Sequence, residues 1–118
     1  MRILVAYEDD HRAFGQATAE TLRGARQHVE VTVVALNALE AEVARFDPHL
    51  VICGPPLPRG LICPRPGWVE LPPCSNHPTR ICVGGQHWES SSPSLEELLS
   101  VVDLTEALVE AGGEYDPC

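Results

Sequence analysis

The chain has 118 residues and a formal net charge of −9. That length suits one domain with one hydrophobic core, and the acidity excludes the basic patch that direct nucleic-acid binding needs. Hydrophobic residues make up 44% and charged residues 21%, the balance of an ordinary folded protein, and because no lysine is present, chemistry that needs a lysine ammonium is excluded.

Arg2 to Glu8 is an apolar, β-rich run without strict alternation, which predicts a strand buried on both faces, as in a parallel sheet. From His11 to about Arg26 the period changes: Phe14, Ala17, Thr18, Thr21, Leu22 and Ala25 fall on one helical face. Asp10 is placed to cap this helix, with Glu8 and Asp9 favouring its dipole. Val29 to Leu36 is dense in β-branched residues and predicts a second strand. Asn37 and Glu40 have capping-box spacing for a second helix with Leu36, Leu39, Val43 and Phe46 inward. Pro48 stops it, and Leu50 to Cys53 predicts a third strand. The first half therefore reads β-α-β-α-β, the signature of parallel strands joined by crossover helices.

The middle differs. Eight of the eleven prolines lie between Pro55 and Pro78, and each proline inside a helix costs about 3 kcal/mol, so no regular helix is expected there. Trp68 to Leu71 suits a short strand or an extended segment. Thr79 to Val83 predicts a further strand, ended by Gly84-Gly85, and Ser90 to Pro93 reads as a loop. Ser94 and Glu97 have capping-box spacing for a long amphipathic helix that Gly112-Gly113 ends. One domain is expected over 1–113, with 114–118 as a flexible tail. No apolar stretch approaches the roughly 18 residues of a membrane span, and Ile3–Ala6 is too short for a signal peptide. A cytoplasmic protein with no membrane partner is expected, its five cysteines present as thiols.

Three segments, in order, resemble response-regulator receiver domains: Leu4-Val5-Ala6-Tyr7-Glu8-Asp9-Asp10, the stretch from Pro48 to Gly60, and Ser94-Leu95-Glu96-Glu97-Leu98-Leu99. The resemblance implies an α/β fold with a single-layer parallel sheet of four or five strands flanked by helices. It would be a truncated, flavodoxin-like receiver with one or two helices replaced by the proline-rich loop. In that family the acids after the first strand hold magnesium, an aspartate ends the third strand and accepts phosphate, and a lysine ends the last strand. Here Gly54 stands at the aspartate position and Gly84 near the lysine position. A degenerate receiver without phosphoaspartate chemistry is implied.

Several candidate sites follow. Glu8 and Asp9, with Asp10 in the same acidic pocket, suit a weak magnesium site; acids at a helix start serving cap and dipole are the plainer alternative. Cys63, Cys74, His77 and Cys82 include one zinc-like spacing, Cys74-x-x-His77, but match no standard zinc pattern, so thiols in a structural loop are favoured. His11 adjoins the acidic cluster, whereas His49 and His87 have no acid or nucleophile at motif spacing. Trp68 and Trp88 beside stiff proline segments suggest a protein-contact surface, or, for Trp68, a cap on a sheet face that lacks its helix. Two functions are expected to compete. One is a non-catalytic, phosphorylation-incompetent signalling domain that binds a protein partner or a second copy of itself. The other is a small-ligand or metal-binding domain that uses the acidic cluster.

Overall fold

The computed structural model describes residues 1–74, 77–112 and 116–118. Among them are six strands and four helices in an α/β arrangement. The first half follows the expected alternation. Strand β1 (Arg2–Tyr7) leads through a single 3-10 turn to α1 (Arg12–Ala25), then β2 (Glu30–Ala35), α2 (Leu39–Phe46) and β3 (Leu50–Cys53). Strand β1 pairs in parallel with β2 on one side and β3 on the other. With neighbours on both edges and helices over both faces, its side chains from Ile3 to Ala6 are fully buried, which is why its sequence is apolar without alternation.

Both expected helix caps differ in detail. Neither Asp10 nor Asn37 caps a helix: α1 starts after His11 and α2 after Ala38, each following a 3-10 turn with no side-chain cap. The tighter turn satisfies early N–H groups itself; the His11 N–H donates to Glu8 O at 2.9 Å.

The second half departs from an all-parallel sheet. The proline-rich stretch holds only one helical turn, α3 (Arg59–Ile62), before β4 (Gly67–Glu70) adds in parallel beside β3. Trp68 to Glu70 therefore belongs to the sheet interior. Next come β5 (Thr79–Val83) and β6 (Gln86–Ser90), and both are antiparallel to their neighbours. The sheet is six-stranded and mixed, in the order β2-β1-β3-β4-β5-β6, where four or five parallel strands were expected. The reason is chain length. Residues 71–78 are fewer than the dozen or so that a parallel crossover needs, so the chain turns back instead. Gly84 and Gly85, both at positive φ, then make the two-residue hairpin turn into β6.

Helix α4 (Leu95–Glu110) closes the fold, and Ser94 Oγ accepts the Glu97 N–H at its start as expected. Two cores result. One face of the sheet packs Ile3, Val5, Tyr7, Leu50, Ile52, Val69 and Ile81 under Leu22 of α1 and Val101 and Val102 of α4. The other packs Leu4, Ala6, Val51, Cys53, Trp68 and Cys82 under Leu39 and Val43 of α2 and Ile62 of α3. The chain just after α1 is tied to α4 by Arg26 on Asp103, with two 2.9 Å contacts, and by His28 on Glu106 at 2.8 Å.

The cysteines also differ from expectation. Cys82 and Cys118 form a disulfide, whereas Cys53 and Cys63 carry none. Residues 116–118 are accordingly held against the sheet, with the Cys118 N–H donating to Arg65 O at 2.9 Å. The expected loose tail is thus anchored at its far end; residues 113–115 lie outside the described residues.

Candidate functional site

The four parallel strands all end at one edge of the sheet. Helix α1, which follows β1, covers one face, and α3, which follows β3, lies on the other, so the chain leaves β1 and β3 in opposite directions. This reversal opens a crevice between the ends of β1 and β3, where open parallel sheets bind ligands. Tyr7, Glu8, His11, Leu36, Gly54, Pro55, Pro73 and Cys74 line it, enclosing about 180 Å³.

Tyr7 is its floor. The ring is 4% exposed and lies between two glycines. A Cβ on Gly54 would sit 3.3 Å from Tyr7 Cδ1 and Cε1; one on Gly15 would sit 2.9 Å from Cδ2. Phe14 meets the ring edge-on, 5.3 Å between centroids, and the phenol donates to Leu71 O at 2.7 Å. Burial, with Cys53 second, raises the Tyr7 hydroxyl well above its ordinary range, so it acts as a neutral hydrogen-bond donor. The space above Gly54 therefore holds an aromatic ring. The sequence signals for this were a tyrosine ending an apolar strand and glycines at 15 and 54.

Glu70 is the second residue that sequence reasoning passed over. It stands at the edge end of β4, 7% exposed in an otherwise apolar strand. Its Oε2 accepts the Leu57 N–H at 2.7 Å, and its Oε1 lies 3.6 Å from Arg80 Nη1. An acid inside Trp68-Val69-Glu70-Leu71 was the available sign. Its role is to pin the proline-rich loop to the sheet beside the crevice. Cys53, its register partner on β3, has its thiol pushed up to about 12 by burial and then by the Glu70 charge. A thiol so disfavoured as a thiolate is no nucleophile at neutral pH.

The acidic cluster is at this edge but dispersed. Glu8, Asp9 and Asp10 are all exposed. Glu8 borders the crevice with His11, whereas Asp9 pairs with Arg12 at 3.5 Å. Among the described residues, no three His, Cys, Asp or Glu side chains gather as a metal-ligand group. Of the zinc candidates, Cys82 is committed to the disulfide.

Other expected site residues lie elsewhere. Because β5 runs antiparallel to β4, Val83 pairs with Gly67 at the start of β4. Gly84 thus lies at the opposite edge of the sheet from Gly54, and the structure does not bring the two glycines together. Trp68 is 2% exposed, so it is core rather than contact surface. It packs edge-on against His87 at 5.6 Å, with the Arg59 guanidinium 5.2 Å from its ring. This agrees with the alternative of a cap on a face short of helix. Trp88 is half-buried on the edge strand β6. His49 sits at the amino edge, its Nδ1 accepting the Arg2 N–H at 3.0 Å; burial, then Arg2, lowers its pKa.

No family model, no curated protein and no solved structure matches this chain. No helix among the described residues is long and apolar enough to cross a membrane.

Proposed function

We propose that this chain is a degenerate, flavodoxin-like receiver that cannot be phosphorylated and acts as a non-catalytic binding domain, taking a protein partner or a second copy of itself. The observation that carries the reading is Tyr7. Its ring is clamped over Gly54, the position where the resemblance implies an acceptor carboxylate. The strand order β2-β1-β3-β4, parallel throughout, also supports a receiver-like descent. The absence of any lysine removes the second side chain of that chemistry. The shortened helix α3 and the antiparallel β5–β6 hairpin leave β6 as an edge strand, with no strand beyond it among the described residues and the half-buried Trp88 on it. Edge strands of this kind accept partner strands. The test combines acetyl phosphate and magnesium treatment, read by intact mass, with light scattering across a concentration series and a labelled-partner screen. No phosphoryl adduct together with self-association or a saturable protein partner is expected. A stable aspartyl phosphate refutes the reading.

A second reading is favoured by the crevice itself: a small ligand or a metal ion bound beside the acidic cluster, between Glu8, His11, Gly54 and Pro55. It predicts a saturable rise in melting temperature with magnesium, zinc, flavins or nucleotides. A flat response to all four removes it.

A further inference from the structure

The Cys82–Cys118 pair is asymmetric. Cys82 is fully buried in β5, while Cys118 is half-buried in the anchored segment 116–118. A reductant therefore reaches the Cys118 sulfur first, which makes Cys82 the leaving thiolate. One further group meets that sulfur: His87 Nε2, from the register partner of Cys82 on β6, lies 3.6 Å from Cys82 Sγ. His87 is exposed to solvent on the neighbouring strand, so it can exchange protons with water. A leaving thiolate that is stabilised leaves faster.

We propose that Cys82–Cys118 is a thiol–disulfide exchange site served by a dithiol reductant, with His87 assisting departure of Cys82, and that its opening releases segment 116–118 from the sheet. The reductant thiolate bonds to Cys118 Sγ as the Cys82–Cys118 bond breaks. The electron pair goes to Cys82 Sγ, where the neighbouring His87 Nε2 stabilises the departing thiolate by hydrogen bonding until it takes a proton from water. The reductant's second thiol, as its thiolate, then attacks the mixed disulfide; Cys118 leaves as thiolate and is protonated from water. Both cysteines end as thiols and the reductant as a disulfide. Among the described residues, segment 116–118 then keeps the Cys118 N–H bond to Arg65 O, the contacts of Cys118 Sγ with the Gly85 N–H and Pro66 O, and those of Asp116 at the Gly84-Gly85 turn. It covers the face on which Trp68, Ile62 and Cys82 pack, where sequence and structure alike lack a full helix. Release changes the surroundings of Trp68. This inference stands apart from the receiver reading and would survive its failure.

The test uses the full chain in a Trp88→Phe background, leaving Trp68 as the only indole. Air-oxidised protein, counted after denaturation, is expected to show at least two thiols fewer than the five it shows after dithiothreitol, with peptide mapping to Cys82–Cys118. Dithiothreitol should shift Trp68 emission while far-UV circular dichroism stays native. Cys118→Ser should show the shifted emission from the outset and ignore the reductant. His87→Gln should slow reduction about fivefold or more; mere loosening of the hairpin would speed it instead. Five thiols before reduction, peptide mapping to another pair, an unaltered or faster rate in His87→Gln, or loss of native circular dichroism on reduction each overturn the proposal.

Discussion

Two glycines of one helix offer a direct measurement of the clamp on Tyr7. Gly15 and Gly24 both lie in α1, so replacing either by alanine gains helix propensity of about 0.5–1 kcal/mol. At Gly24 an added Cβ meets nothing within 4 Å, and Gly24→Ala should stabilise by that amount. At Gly15 the same methyl falls 2.9 Å from Tyr7 Cδ2. The ring has no easy retreat. Gly54 backs its far side, Phe14 abuts its edge, and the phenol is tied to Leu71 O. Forcing a methyl into such a packed site costs about 1–3 kcal/mol. Gly15→Ala should therefore be neutral to destabilising by about 2 kcal/mol once the propensity gain is subtracted. Gly54→Ala, at 3.3 Å and outside a helix, should destabilise by up to about 1 kcal/mol. Joining it to Gly15→Ala should cost more than the sum, since both press one ring. Urea denaturation reads all four variants, with unaltered slope confirming that only stability changed. If Gly15→Ala and Gly24→Ala raise the midpoint equally, the ring is not clamped. The reading that Tyr7 fills the space over Gly54 then falls with it.

Three further outcomes are expected. Tyr7→Phe keeps the ring but leaves the buried Leu71 carbonyl without its donor, and should cost about 1–3 kcal/mol in the same assay. Glu70→Leu should destabilise by about 1–3 kcal/mol because the Leu57 N–H loses its acceptor, whereas Glu70→Gln retains one and should cost less; equal losses would show that the hydrogen bond is not what matters. Stability should fall with acid in two stages. The folded pKa of His49 lies below its ordinary 6.5, so the unfolded chain takes up the proton first and folding is penalised as pH drops below that value. Asp47 and Asp103 are held below 3.8 by their hydrogen bonds from Arg65 and Arg26, so their contribution is present above that pH and lost as pH falls through the lower folded values. His49→Gln should abolish the upper stage and leave the lower one; persistence of both stages would show that another group titrates.

Local patterning carried the first half of the fold. Buried parallel strands and amphipathic helices have periods that neighbouring residues display by themselves, so β1, α1, β2, α2 and β3 were legible within one or two residues. The proline-rich stretch was expected to hold no regular helix, and it holds only the single turn α3, since proline acts on its own backbone. Strand β6 could have been read as well: Gly84-Gly85 between two short runs is a hairpin signal, and residues 71–78 are too short for a crossover. The resemblance to an all-parallel family outweighed both.

The site was less legible. Gly54 was located at the right edge, but nothing in the residues around it reveals that Tyr7, distant in sequence, would fill the space beside it. The role of Glu70 follows only from its partner, the Leu57 N–H, which the loop places beside it. Cys82, expected as a thiol, is paired because the chain brings Cys118 back to it. Sequence alone determined the strands and helices of the first half, the capped start of α4 and the absence of any lysine, because these depend on residue identity and local spacing. Only the tertiary structure decided the direction of β5, the partner of each cysteine and the occupant above Gly54. Those depend on which distant groups are left close together when two apolar faces are buried at once.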